Sequence, residues 1–239
     1  MKNNCIYVLE VNPRASRTIP FISKIKNIHY AKYAAMIAAG ESIKSFNFNY
    51  KNLNLIAVKK PVFPFNKFPE QKVFLSPEMK STGEVIGFDK HLGSAYAKAE
   101  IGAGNFLPKK GTIFISVNNA DKSEIINIAR DFNEIGFKII ATKGTSELLN
   151  DNGIICNNIF KVGEGRPNIV DLIKNNQINI IINTPLGEQS RYDEYKIGQA
   201  AIQFKIPVVT TLQGAYLALR AIRMNNKKLS YLSLQKIFS

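Results

Sequence analysis

Eight residues near the N-terminus, Glu10 to Arg17 in "EVNPRASR", hold a carboxylate, an amide and two of the seven arginines in the chain. "CIYVLEV", Cys5 to Val11, alternates as a strand does. On that strand Glu10 and Asn12 are two apart and share a face. A carboxylate and an amide oxygen suit Mg²⁺ or Mn²⁺, which favour oxygen ligands and substrate phosphates. Arg14 and Arg17 follow on the next turn, and a guanidinium holds a carboxylate or phosphate through two parallel hydrogen bonds. Metal and arginine together equip a protein for phosphoryl transfer, where positioning and charge neutralisation do most of the catalysis. A strand end with a surface ion pair has the same spacing, and spacing alone does not separate the two.

A second set of polar residues lies in the C-terminal half. "ATKGTS" puts Thr142, Gly144 and Thr145 between a strand and a helix, where backbone N–H groups and threonine hydroxyls form an anion site. Lys122 in "NNADKSE" and Lys161 in "FKVGEGRP" supply charge. Asn183 and Thr184 in "INTPLG" end another strand. Each loop by itself also reads as an ordinary turn.

These residues need elements to hold them. The pattern changes near residues 103–111, "AGNFLPKKG". Before it, "IHYAKYAAMIAA" (28–39) reads as an Ala-rich helix with Gly40 at its end. "LIAVKK" and "EVIGF" read as short β pieces between Pro-rich connectors such as "PVFPFNKFP", and a second Ala-rich helix covers about 90–101. After residue 111 strands and helices alternate regularly. The strands are "TIFISV", "FKIIAT", "NIFKV", "INIIINT" and "IPVVT"; the helices are "KSEIINIARDFNEI", "TSELLNDN", "NIVDLIKNN", "YDEYKIGQAAIQF" and "LQGAYLALRAIRMN". This pattern predicts an α/β fold with a doubly wound parallel sheet. Ligands in such sheets sit at the carboxyl ends of the strands, where the second set of residues falls. The tail, "NNKKLSYLSLQKIFS", reads as a solvated segment.

Composition narrows the classes. An apolar share of 45% suffices for a real core. No run approaches a membrane span, and the N-terminus lacks a signal-peptide pattern. Two cysteines, Cys5 and Cys156, argue against a disulfide framework and for a reduced, cytoplasmic setting. The formal charge of +14 invites a nucleic-acid reading, but the lysines are scattered among Asn and Ile, with no basic run interleaved with aromatics. Neither nucleic acid nor membrane is expected as a partner. His29 and His91 have no visible partner in the sequence, and no nucleophile arrangement surrounds either cysteine.

"EVNPRASRTIPF" resembles the segment that closes an ATP-grasp fold in carbamoyl-phosphate synthase large subunits. The likeness continues through Ser23–Lys24, the Ala31–Gly40 helix, "PFNKFP" (64–69), "PEMKSTGEVIG" (77–87) and "AYAKAEIGAG" (95–104) in one order. The resemblance implies two domains: residues 1–104, the C-terminal remnant of an ATP-grasp domain of mixed α and β, and residues 105–239, a regulatory domain similar in fold to methylglyoxal synthase. It places Glu10 and Asn12 at metal positions beside ATP, and Arg14 and Arg17 near carbamate and its phosphorylated product. It places Lys122, Thr142, Thr145, Lys161, Asn183 and Thr184 in a pocket for nucleotide effectors such as UMP and IMP. Mg²⁺ or Mn²⁺ and ATP are the implied cofactors. The rest of the large subunit and a glutaminase small subunit are the implied partners, in pyrimidine and arginine biosynthesis.

The resemblance also implies that a third metal ligand and the nucleotide-binding lobes lie upstream, so the chain alone is expected to lack synthase activity. Three departures stand out. Pro185 replaces a hydroxyl-bearing residue that helps hold phosphate, which argues against a UMP response. Lys60 stands where the family has an acidic contact to ornithine, and Val208 where it has a tyrosine, which argues against ornithine activation. A lyase like methylglyoxal synthase is disfavoured because "GEGRPN" replaces the "GDQQ" pattern that carries its aspartate base. Isolated "GEG" and "GAG" make no dinucleotide fingerprint. A non-catalytic fragment that binds a phosphorylated effector or a partner chain is the remaining rival.

Overall fold

The computed structural model describes residues 5–8, 11–48, 54–63, 81–185, 188–225 and 229–238. The chain forms two compact units, Met1–Asn54 with Ser230–Ser239, and Leu55–Leu229.

The first unit contains helices α1 (Thr18–Lys26) and α2 (Tyr30–Ala38), a 3₁₀ turn at Ile43–Ser45, and a short helix near the C-terminus, Leu234–Phe238. No residue of that last helix is buried, in keeping with the solvated tail read from its sequence, and Ser233 starts it by accepting the Lys236 N–H at 3.3 Å. Helix α1 has no counterpart in the sequence reading. Its Pro20 sits in the first turn, where a backbone N–H has no partner within the helix anyway, so the proline costs little. Helix α2 ends as its glycine predicts. Gly40 takes a φ of +103°, its N–H reaches the Ile37 carbonyl, and the Glu41 N–H reaches back to Met36, each at 3.0 Å. Tyr33, Phe46 and Phe48 cluster with ring centroids 4.9–6.2 Å apart.

The strand expected over Cys5–Val11 does not form among the described residues; Cys5 makes an isolated bridge, and Ile6–Val8 and Val11 are irregular. Leu9 and Glu10 lie outside the described residues. Ile6, Tyr7, Val8 and Val11 are 64–82% exposed. Alternation makes a strand only where a partner covers one face, and among the described residues Ile6, Tyr7, Val8 and Val11 are left uncovered.

In the second unit, β1 (Ile56–Val62) and β2 (Gly83–Asp89) pair antiparallel, with Lys60 opposite Val85. Helix α3 (Leu92–Gly102) crosses them so closely that a Cβ on Gly87 would lie 2.7 Å from the Ala99 nitrogen. Two ion pairs hold the hairpin and helix together. Lys98 donates to Asp89 at 2.8 Å and to the Phe88 carbonyl at 2.9 Å. Burial alone would raise the Asp89 carboxyl, but hydrogen bonds from Lys98 and the His91 N–H outweigh it and hold the group below its ordinary range. Lys60 donates to the buried Glu100 at 2.6 Å, and Asn105 donates to the same carboxylate at 3.0 Å. Burial and the Glu100 carboxylate push the Tyr96 hydroxyl up.

The remainder is the doubly wound parallel sheet. Its strands are β3 (Thr112–Val117), β4 (Lys138–Thr142), β5 (Cys156–Ile159), β6 (Ile180–Thr184) and β7 (Val208–Val209), in the order β5-β4-β3-β6-β7. Helices α4 (Lys122–Glu134), α5 (Lys143–Asp151) and α8 (Leu212–Asn225) pack with Ile113, Ile115, Ile139, Ile180 and Ile182 on one face. Helices α6 (Ile169–Lys174) and α7 (Glu188–Gln203) pack with Phe114 and Ile181 on the other. Burial on both faces explains the near-continuous isoleucine of these strands. β5 starts two residues earlier than "NIFKV" suggests, because the Asn150 side chain bonds both the N–H and the carbonyl of Cys156 at 3.0 and 2.9 Å. The change of sequence pattern near residues 103–111 falls inside this unit, where α3 packs on α8. A Cβ on Gly93 would stand 2.8 Å from the Arg220 carbonyl oxygen.

Candidate functional site

Strand order reverses between β3 and β6, since the chain winds outward to β4 and β5 on one side and to β7 on the other. Connections at such a switch point leave in opposite directions and open a crevice beyond the strand ends. A cleft of about 660 Å³ lies there. Ser116–Ala120 form one part of its wall, and Asn183–Pro185 another. Thr142 stands at the end of β4, and Lys161, Val162 and Glu164 come from the loop after β5. Asp193 and Ile197 close it from α7, four residues apart and so on one face of that helix.

The structure therefore brings Thr142, Lys161, Asn183 and Thr184 into one cleft, at the strand ends the sequence indicated. Thr142, Asn183 and Thr184 are each less than a tenth exposed. Thr142 is also the N-cap residue of α5, and its side chain makes no capping hydrogen bond. Thr145 is buried in the first turns of α5 and does not line the cleft. Lys122, the first residue of α4, does not line it either; its ammonium lies 3.6 Å from where a Cβ on Gly144 would sit, over the start of α5.

Asn118 is a cleft residue that sequence reasoning missed. Its amide nitrogen donates to the Thr184 carbonyl at 3.1 Å, to the Thr184 hydroxyl at 3.3 Å and to Asp121 at 2.7 Å. Its oxygen accepts the N–H groups of Ala120 and Asp121. One side chain thus ties the end of β3 to the end of β6 and starts the 3₁₀ turn Asn119–Asp121. The signal was present, because an asparagine directly after a strand and before a helix is a capping pattern. Asp193 and Glu164 were missed as well. Burial raises the Asp193 carboxyl, the Lys161 charge opposes that, and the Glu164 carboxylate adds to it. Burial also pushes the Cys156 thiol up to about 12, which suits a packing residue rather than a nucleophile.

The N-terminal cluster lies in the other unit. Asn12, Arg14 and Arg17 are exposed, with the Arg14 N–H bonded to the Asn12 carbonyl at 2.8 Å and Arg17 at the N-cap of α1. Glu10 lies outside the described residues. Among the described residues no group of three or more His, Cys, Asp or Glu side chains is placed to hold a metal. No helix among them is long and apolar enough to cross a membrane.

Comparison with known proteins agrees with this architecture. Residues 124–210 match the family described as MGS-like domain. The chain is 43% identical over 262 residues to the carbamoyl phosphate synthase large chain, C-terminal section, of Aquifex aeolicus, covering 100% of this chain and 49% of that protein. It is 46% identical over 233 residues to the carbamoyl phosphate synthase large chain of a Nostoc species, and 48% identical over 239 residues to that of Archaeoglobus fulgidus. Those two matches cover 97% and 99% of this chain and 21% and 22% of the relatives. The fold and these matches define an α/β protein with an MGS-like domain. Along nearly its whole length the chain is similar to the C-terminal section of carbamoyl phosphate synthase large chains. It spans between a fifth and a half of the length of these relatives.

Proposed function

We propose that the chain serves carbamoyl phosphate synthesis as the C-terminal section of a large chain, with the switch-point cleft as its site for a phosphorylated nucleotide effector. The observation that carries the reading is the convergence of Thr142, Lys161, Asn183 and Thr184 on one cleft. Buried hydroxyl and amide groups with one ammonium offer hydrogen bonds and charge to a phosphate, and Val162, Ile169 and Ile197 offer an apolar wall to a base. Residues 105–239 are then the effector domain, and residues 1–104 the end of an ATP-grasp domain.

In this reading Glu10 and Asn12 supply oxygen ligands to Mg²⁺ or Mn²⁺ beside ATP, with the remaining ligands from elsewhere in the synthase. That ion would neutralise phosphate charge during transfer. Arg14 and Arg17 hold carbamate and orient its phosphorylated product. The other lobes of the large chain and a glutaminase subunit are the partners, in a cytoplasmic setting. Pro185 lines the cleft and has neither hydroxyl nor N–H to give a phosphate, which argues against a UMP response. Lys60 is engaged by Glu100, which supports a loss of ornithine response.

Calorimetry with IMP, UMP and inorganic phosphate tests the cleft. Binding of at least one at millimolar concentration is expected, weakened about tenfold by Lys161→Met through loss of a charged hydrogen bond. No heat with any of the three ends the proposal.

A further inference from the structure

We infer that Glu164 is a built-in competitor with anionic ligands for Lys161, so that the loop after β5 sets how strongly the cleft holds a phosphate. The inference rests on the reading of the cleft as a phosphate site. Lys161 and Glu164 face each other at 3.7 Å, both about half exposed, and both line the cleft. The backbone fixes this encounter. The Glu164 N–H donates to the Lys161 carbonyl at 3.2 Å, closing a tight turn. Gly163 makes the turn possible with a φ of +90°, a region other residues avoid. Gly165 then packs against the Phe160 ring, where a Cβ would stand 3.1 Å from ring carbons, so the loop folds back on its own start. The carboxylate is thus returned to the ammonium by the chain geometry itself.

Asp193 lines the same cleft, where burial raises its carboxyl, the Lys161 charge opposes that and the Glu164 carboxylate adds to it. The cation expected to receive a phosphate therefore shares the cleft with two carboxylates. Because the Lys161–Glu164 pair is exposed and not closely bonded, it is weak, and a phosphate with two negative charges displaces Glu164 at small cost. Removing the competitor tightens anion binding, and only while Lys161 is present to be competed for.

The test is calorimetry on the full chain with inorganic phosphate, IMP and UMP, using wild type, Glu164→Gln, Lys161→Met and the double variant. Glu164→Gln is expected to bind about two- to fivefold more tightly than wild type, with no gain in the Lys161→Met background. Equal affinity of wild type and Glu164→Gln overturns the competitor and leaves the phosphate site standing. An equal gain with and without Lys161 also overturns it, since that is plain repulsion between carboxylate and ligand. Failure of wild type and Glu164→Gln alike to bind any of the three overturns the competitor together with the phosphate-site reading.

Discussion

Replacing Lys60 with methionine should destabilise the second unit by about 3 kcal/mol, and the structure sets that figure. The Glu100 side chain is 5% exposed, that of Lys60 26%, and their charges meet at 2.6 Å. At an effective dielectric of about 20 the gross attraction is about 6 kcal/mol, much of it offset by the cost of taking both groups out of water. Breaking a buried pair from one side typically costs about 3–5 kcal/mol, because the other charge is left behind. Two features favour the lower end. Lys60 keeps some contact with water, and Asn105 still donates to the carboxylate at 3.0 Å.

Urea unfolding should then show a lower midpoint at unchanged slope, and thermal unfolding a drop of about 6–12 °C for a unit of this size. The double variant Lys60→Met, Glu100→Gln removes both charges while keeping an acceptor for Asn105. It should recover to within about 1 kcal/mol of wild type. The reasoning fails if Lys60→Met costs less than about 0.5 kcal/mol, or if the double variant is as unstable as the single one.

Gly93→Val places side-chain atoms against the Arg220 backbone, which cannot yield, so α3 must lift from α8. A loss of about 2–3 kcal/mol is expected, with faster amide exchange in α3 than in β3 or β6. Asp193→Asn should stabilise the ligand-free chain at pH 7. A carboxyl whose folded pKa is raised favours the fold when protonated, and that advantage is lost as pH rises past about 4 and through the raised value. Solvent screening keeps the gain well under 1 kcal/mol, so a Tm rise of about 1–2 °C that shrinks toward pH 4 is expected. A Tm that falls on this substitution at pH 7 contradicts the assignment.

What the sequence made legible follows from which forces act locally. The five parallel strands announce themselves because strands buried on both faces must be apolar throughout, and "TIFISV" and "INIIINT" have few other uses in a chain of this kind. The cleft position follows from topology, and the strand-end residues Thr142, Asn183 and Thr184 line it. Helix α1 stayed hidden because Pro20 and the β-branched Thr18, Ile19 and Ile22 read locally as extended chain. The segment from Cys5 erred the other way, since its alternation was real but a strand needs a neighbour. Lys60 could be read only as a departure. Its partner Glu100 lies 40 residues on, and the pair exists only because the hairpin register and the crossing of α3 bring them together.

Charge gives the sharpest contrast between composition and place. A net charge of +14 predicts nothing about the cleft, where the ionisable lining among the described residues is Lys161 with Glu164 and Asp193. Lys122, which would have tipped that balance, stands instead over the start of α5, outside the cleft lining. The affinity of such a site depends less on how many cations the chain carries than on how the backbone shares one cation between its own acids and a ligand. In the site proposed above, a turn of four residues, Lys161 to Glu164, makes that division. Substitutions in the turn should therefore change binding more than substitutions among the many lysines elsewhere on the surface, whose fields are screened within about 10 Å at ordinary salt.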